Sequence, residues 1–314
     1  MPSLKTAAFA ALLASAALAP AAALADPAPA PVTATAPAFG ATRLFADSKL
    51  IVRDRITVEV VGQGPDLVFI PGLASSRETW RTAAQRLRSR YRLHLIQING
   101  FAGEPAGANA SGEVLVPTAE AVDAYLVEAK LAPATVIGHS LGGTMILYLA
   151  DHHPDHLKRA FVVDSLPFFG VVFMGPQATV AQLAPIADGI RNGPPQSPAA
   201  IAQQINAMVG GEADRARVTG WGQVSERSVV QRALADDLAL DLRPDLAKIA
   251  TPITLLYPDN APNGMPTGAA DGFYRSAFAG APHVTFVRAD NARHFIMYDQ
   301  PAAFDAALDA FLGQ

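Results

Sequence analysis

The sequence predicts an α/β fold with a mostly parallel sheet, helices on both faces of the sheet and a helical cap. Short apolar runs rich in β-branched residues alternate with longer segments of helical period along most of the chain. Buried parallel strands have this continuous apolar character, and the helices between them are the crossover connections. The alternation stops near residue 166 and resumes after residue 246. We therefore expect a core of residues 42–165 and 247–314 and a cap of residues 166–246.

Composition supports one large domain of this class. The chain has 314 residues, of which 50% are hydrophobic and 17% are charged, so it can bury a large core. It contains no cysteine, which excludes disulfides, thiol catalysis and thiolate metal sites. A formal net charge of −4 offers no surface for nucleic acid.

The first residues are typical of an export signal. Residues 1–25 carry one charge, Lys5, and an apolar run that ends in Ala23-Leu24-Ala25. This pattern predicts a cleavable signal peptide and a periplasmic or secreted protein, with no stable membrane span after cleavage. An uncleaved membrane anchor is the alternative, which the short apolar run and Pro20 disfavour. Residues 26–41, rich in proline and alanine, are expected to form an extended tether.

The predicted strands are short runs of β-branched and other apolar residues that turn residues interrupt. The first two are interpreted as edge strands, and a Gly-Gln-Gly-Pro turn at 62–65 separates them from the buried strands. In chain order, strands are expected at 51–53, 56–61, 66–70, 93–98, 135–139, 159–164, 253–257 and 284–287.

The predicted helices have apolar residues at intervals of three and four, so one face of each can pack against the sheet or within the cap. Ser197 before Pro198 is typical of a helix start, because the serine side chain caps the helix and proline suits its first turn. In chain order, helices are expected at 78–90, 118–130, 141–151, 177–189, 198–209, 226–238 and 270–279, and from residue 301 onwards.

A Gly-x-Ser-x-Gly sequence places Ser140 between a predicted strand and a predicted helix. So sharp a turn strains the central residue, and Gly138 and Gly142 are needed where a Cβ would meet the neighbouring chain. The helix start also supplies backbone N–H groups beside any oxyanion that forms at the serine. The motif arises by chance in chains rich in glycine, but the strand before it and the helix after it favour an acyl-transfer nucleophile.

The stretch around Ser140 resembles the nucleophile elbow of the α/β-hydrolase family. Further matches at Pro71-Gly72, after Tyr257 and around His294 extend the resemblance from about residue 51 to residue 312, apart from the insertion. The resemblance implies an oxyanion hole formed by the backbone N–H groups of Leu73 and Leu141. The chain departs from the family in two places. Proline occupies position 71, where a histidine is usual, and the loop after residue 98 lacks the usual Asp-x-x-Gly-x-Gly pattern, which is expected to reshape one wall of the pocket.

A serine hydroxyl needs a base, and His294 is the best candidate among the seven histidines. It lies in a loop beyond the last predicted strand, where the family order of serine, acid and histidine places the base. A surface histidine without a catalytic role is the alternative. For the acid, Asp259 is preferred because it directly follows a strand at the usual position, whereas Asp164, after the preceding strand, is the rival.

These features predict an exported serine hydrolase that cleaves a small, largely apolar ester-like substrate through an acyl-enzyme, with no metal or organic cofactor. Lactonase, thioesterase, amidase, carbon–carbon hydrolase and perhydrolase activities are alternatives within the family, because a fold does not choose among them. A non-catalytic binding protein is the alternative outside catalysis. Phe168 and Phe169 begin an apolar run near the catalytic edge of the sheet. They are expected either to line a substrate pocket or to pack within the cap.

Overall fold

The computed structural model of the chain describes residues 43–266 and 268–313. The predicted signal peptide, the tether and the membrane-anchor alternative lie outside these residues and stay predictions from the sequence. No helix in the described ranges is long and apolar enough to cross a membrane.

Eight strands of the described residues form one sheet, in the order β1-β2-β4-β3-β5-β6-β7-β8. They are β1 (Lys49–Val52), β2 (Ile56–Gly62), β3 (Asp66–Ile70), β4 (Arg92–Ile98), β5 (Ala134–His139), β6 (Leu157–Val163), β7 (Ile253–Pro258) and β8 (Val284–Ala289). The β1–β2 and β2–β4 pairs are antiparallel, and all other neighbours are parallel. The predicted mostly parallel sheet is therefore confirmed. The second strand is not an edge strand as predicted, because β1 covers its outer side.

The helices lie on both faces of the sheet and between β6 and β7. They are α1 (Arg81–Leu87), α2 (Leu115–Glu128), α3 (Leu141–His152), α4 (Val171–Met174), α5 (Val180–Asn192), α6 (Pro198–Met208), α7 (Glu212–Val224), α8 (Arg227–Ala239), α9 (Ala269–Ala277), α10 (Ile296–Asp299) and α11 (Pro301–Leu312). One buried apolar cluster packs α2, α3 and α9 against the sheet, and a second packs α1 and α11 against it. The core is thus a three-layer sandwich.

Helices α4 to α8 lie between β6 and β7, within the predicted cap, and α5 packs along α8. As predicted, α6 begins at the Ser197-Pro198 pair, where the serine side chain accepts a hydrogen bond from Ala200 N at 3.2 Å. The sequence pattern does not predict α7. That helix buries only Val218 and Trp221 and contains two glycines, so it has neither a clear apolar face nor high helix propensity.

Candidate active site

Ser140 lies between the end of β5 and the start of α3, with φ at +53°. An L residue rarely adopts this left-handed conformation, so the surrounding chain must hold it. A Cβ at Gly142 would lie 2.4 Å from Ile70 O, and a Cβ at Gly138 would lie 2.5 Å from Gly142 O. Only glycine fits at either position, as the motif predicts, and the turn presents Ser140 to a cavity.

The imidazole of His294 pairs with the carboxylate of Asp164. His294 Nδ1 lies 2.7 Å from Asp164 Oδ2, and both side chains line the same cavity as Ser140. Asp164 follows β6 directly and has φ at +45°, while its backbone N–H donates to Leu256 O at 2.8 Å. Its other oxygen, Oδ1, accepts a hydrogen bond from the hydroxyl of Tyr274. Both carboxylate oxygens are therefore held by partners.

The preference for Asp259 as the partner of His294 is wrong on this geometry. Asp259 does follow β7, but its Oδ1 accepts a hydrogen bond from Ala261 N at 3.0 Å and so forms a local turn. Its side chain does not line the cavity. The Asp-Asn-Ala-Pro sequence after β7 is itself a turn signal. It favours a local role for Asp259 in that turn and so leaves Asp164 as the candidate partner of His294.

Tyr274 lies on α9 and was not singled out by the sequence. It is fully buried, and burial together with the neighbouring Asp164 carboxylate raises its pKa well above the ordinary value. The phenol therefore stays protonated, and its O–H group donates a hydrogen bond to Asp164 Oδ1. No sequence motif links Tyr274 to Asp164, because the two residues are more than a hundred positions apart.

His139, which precedes Ser140, supports the loop that carries His294. Its Nε2 lies 3.1 Å from the backbone oxygen of His294, and the two ring centroids are 4.5 Å apart. Complete burial lowers the pKa of His139 well below its ordinary value, so the ring is neutral. A neutral ring that donates from Nε2 leaves Nδ1 unprotonated, and Nδ1 has no hydrogen-bond partner among the described residues. His139 thus positions the backbone of His294.

The two residues expected to form the oxyanion hole, Leu73 and Leu141, both border the cavity beside Ser140. Leu141 is the first residue of α3, so its N–H has no acceptor within the helix. The loop with Leu73 is tightly packed against Ser140, since a Cβ at Gly72 would lie 3.0 Å from Ser140 Cβ. Proline at position 71 is compatible with this approach of the loop.

The cavity has a volume of about 1550 Å³ and lies between the core loops and the cap. Leu166, Phe169, Val172 and Phe173 line it, but Phe168 does not. Phe168 is fully buried, and the guanidinium of Arg243 lies 4.5 Å from its ring centroid. The pocket prediction for Phe168 is therefore wrong, because its ring packs where the cap joins the core.

The loop after β4, which departs from the family pattern, contacts the cap instead of lining the cavity. Gly100 O accepts a hydrogen bond from Glu226 N at 2.7 Å, and Ala102 N donates to Ser225 Oγ at 2.8 Å. A Cβ at Gly100 would lie 2.8 Å from Val229 of α8. The loop therefore does not form a wall of the cavity itself, contrary to the expectation from the sequence.

One group of side chains among the described residues could hold a metal ion, and it lies away from Ser140. Ligand atoms of Asp123, His153 and His156 lie within 4.8 Å of one another. They are near the carboxyl end of α3, whereas Ser140 precedes its first residue. The histidines follow one another closely in the sequence, but Asp123 comes from α2, so spacing alone does not indicate the group.

The chain is similar to known hydrolases over most of its length. The model of the alpha/beta hydrolase family matches residues 67–307. A pimeloyl-[acyl-carrier protein] methyl ester esterase of Nitrosomonas europaea is 25% identical over 263 residues, which are 81% of this chain and 98% of that protein. The enzyme of the same name from Aeromonas hydrophila is 37% identical over 115 residues, which cover 36% of this chain and 43% of that protein.

Solved structures share the fold at lower identity. A hydrolase from Pseudomonas aeruginosa superimposes with a TM-score of 0.68 at 18% identity, and the match covers 86% of this chain and 99% of that chain. This likeness supports the fold, in which a mostly parallel sheet lies between two layers of helices.

Proposed function

Because the chain belongs to the α/β-hydrolase family, we propose that it is a serine esterase with Ser140 as nucleophile, His294 as base and Asp164 as acid. The observation that carries this proposal is the 2.7 Å pair between His294 Nδ1 and Asp164 Oδ2 at the cavity into which the strained Ser140 turn opens. A histidine held at Nδ1 by a carboxylate keeps Nε2 available as the proton acceptor.

In this mechanism the Ser140 hydroxyl attacks the ester carbonyl while His294 Nε2 takes its proton. Asp164 accepts the Nδ1–H bond, which selects the active tautomer and stabilises the imidazolium that forms. The proton then passes from His294 to the leaving alcohol, and the acyl group remains on Ser140. Water attacks the acyl-enzyme in the second half-reaction, with His294 again acting as base.

The backbone N–H groups of Leu73 and Leu141 are the proposed donors to the tetrahedral oxyanion. Both belong to rigid segments, one packed against Ser140 and the other at the start of α3. Such fixed donors stabilise developing charge without reorganisation, and each one is worth a factor of roughly 10² to 10³ in rate.

An ester is the favoured substrate class because relatives of this chain are named methyl ester esterases. The match to the Aeromonas hydrophila enzyme covers less than half of that protein, so its substrate is not transferred to this chain. The cavity volume of about 1550 Å³ supports a substrate of moderate size, because it exceeds the volume of a short acyl chain.

The test is hydrolysis of a panel of esters, lactones, thioesters and amides by the purified protein and its Ser140→Ala variant. We expect the ester to be cleaved fastest and Ser140→Ala to lower turnover by roughly 10⁴-fold or more. Ser276→Ala is the matched control, because this serine is exposed on α9 and does not border the cavity. Equal turnover by wild type and Ser140→Ala would refute the proposal.

A further inference from the structure

A buried polar cluster, formed by Thr144, Ser165 and Asp237, borders a cavity whose lining is largely apolar. Thr144 Oγ1 lies 3.2 Å from Ser165 Oγ, and Thr144 also hydrogen-bonds to the Asp237 carboxyl. When the Asp237 carboxyl is ionised it can only accept, so the Thr144 hydroxyl donates to it and the Ser165 hydroxyl donates to Thr144 Oγ1. Both hydroxyl protons thus point towards the carboxyl, which is the acceptor at the end of the chain.

This polar cluster lies close to the proposed catalytic residues. Thr144 is four residues after Ser140 in α3, which corresponds to roughly 6 Å along the helix axis. Ser165 directly follows Asp164, and Asp237 is contributed by α8 of the cap. The cluster therefore places a cap carboxyl on the wall of the same cavity that Ser140 and His294 border.

Asp237 lacks a partner for one of its oxygens. The side chain is 7% exposed, and Oδ1 is shielded from solvent with no hydrogen-bond partner among the described residues. Burial raises the pKa of this carboxyl to about 7, which reflects the cost of holding its charge there. An apolar residue of similar size would avoid that cost. A buried carboxyl with one unpartnered oxygen at the wall of a cavity therefore indicates a ligand that donates a hydrogen bond.

Resting on the esterase function proposed above, we propose that Asp237, Thr144 and Ser165 form a subsite for a hydrogen-bond donor on the substrate. The terminal torsion of an aspartate is broad, so the carboxyl can turn its free oxygen towards the cavity, which it already borders. The favoured substrates are then esters with a hydroxyl or ammonium group a few bonds from the scissile carbonyl. Plain hydrocarbon esters leave the acceptor unpaired and are poorer substrates.

The test compares p-nitrophenyl esters whose acyl chains end in a methyl, a hydroxyl or an ammonium group, over a series of chain lengths at mildly alkaline pH. At the best chain length, kcat/KM is expected to be roughly ten- to a hundredfold higher for a donor-bearing ester than for its methyl counterpart. The hydroxyl and ammonium arms distinguish a neutral donor from a cation. Equal values for all three end groups at every length would overturn the proposal.

Asp237→Leu should remove this preference while the plain esters are still hydrolysed. Because the variant also removes an unpartnered buried acceptor, its Tm should equal or exceed that of wild type. Asp237→Asn provides a second variant that keeps the shape of the side chain, and it should lose the ammonium preference because the charge is gone. A donor preference that persists in both variants would overturn the assignment to Asp237.

Asp236→Asn is the matched control. This carboxyl is the neighbour of Asp237 on α8, but it bonds Val114 N and Arg191 and does not border the cavity. It should retain the wild-type donor preference. Failure of the esterase proposal itself would look different, since wild type would then hydrolyse none of the esters, whatever their end group.

Discussion

Asp164 uses both carboxylate oxygens, one for the imidazole of His294 and one for the hydroxyl of Tyr274. Two fixed partners leave the carboxylate a single orientation, which in turn fixes the plane of the imidazole. The positive φ of Asp164 turns the chain at the end of β6 and is part of the same arrangement. At this scale, the acid is identified by its contacts and not by its place in the chain order.

Asp164→Asn should lower kcat by roughly 10³- to 10⁴-fold, because an amide can no longer hold the active tautomer of His294. Asp259→Asn should remain close to wild type, since its carboxyl caps a local turn and an amide oxygen can accept the same bond. Steady-state kinetics on one ester, with circular dichroism to confirm equal folding, checks both. A larger loss in Asp259→Asn than in Asp164→Asn would restore the acid predicted from the sequence.

Asp237 should make stability depend on pH with a defined sign. Its folded pKa of about 7 exceeds the ordinary value of 3.8, so the native state binds more protons than the unfolded state between these values. The free energy of unfolding should therefore fall through this window as pH rises, by roughly 4 kcal/mol for this group. Other carboxyls titrate too, so the measured quantity is the difference between Asp237→Asn and wild type in urea unfolding. A pH-independent difference would show that the carboxyl is not perturbed.

At the scale of elements, the cap and the loop that carries His294 are joined by partly buried polar contacts. Asp299 accepts hydrogen bonds from Arg293 N at 2.9 Å and from Gly210 N of the cap at 2.7 Å. In addition, Phe295 N donates to Met208 O at the end of α6. The cap therefore anchors the loop that carries His294 as well as covering the cavity.

Phe168 and Phe169 are adjacent but should respond differently to truncation. Phe168→Ala leaves a hole in a fully buried contact and should lower the free energy of unfolding by about 3–5 kcal/mol. Phe169→Ala enlarges the cavity instead, so it should shift the preferred ester chain length at a smaller stability cost. Chemical denaturation and kcat/KM over a homologous ester series separate these effects. A shifted chain-length optimum in Phe168→Ala alone would contradict the assignment.

Element order and the elbow could be predicted from the sequence, because strand periodicity and the two glycines around Ser140 act locally. The partner of His294 could not, since the pair with Asp164 depends on how two distant loops meet at the sheet edge. The position of the Phe168 side chain could not be predicted either, because an apolar run predicts burial but not which of its side chains face a cavity. Helix α7 could not be predicted from its sequence pattern, because its stability depends on tertiary contacts and little on a regular apolar face.

At the scale of the whole molecule, the sheet brings the ends of β5 and β6 and the loop after β8 to one edge. The cap closes a cavity above that edge, and Ser140, Asp164 and His294 all border it. Such convergence at the carboxyl ends of parallel strands is how an open α/β sheet builds a site from distant residues. In the described part of the chain, the sheet edge and the cap are thus arranged around the cavity that the strained Ser140 borders.

The most direct measurement is reaction of the intact protein with an activated phosphonate, followed by peptide mass spectrometry to locate the adduct. A serine without a base does not attack such a centre readily, so the adduct reports nucleophile and base together. The account predicts one phosphonate per chain, on the peptide with Ser140, and no adduct in Ser140→Ala. It also predicts that His294→Ala reacts far more slowly although Ser140 is still present. An adduct on another serine, or unchanged labelling in His294→Ala, would contradict it.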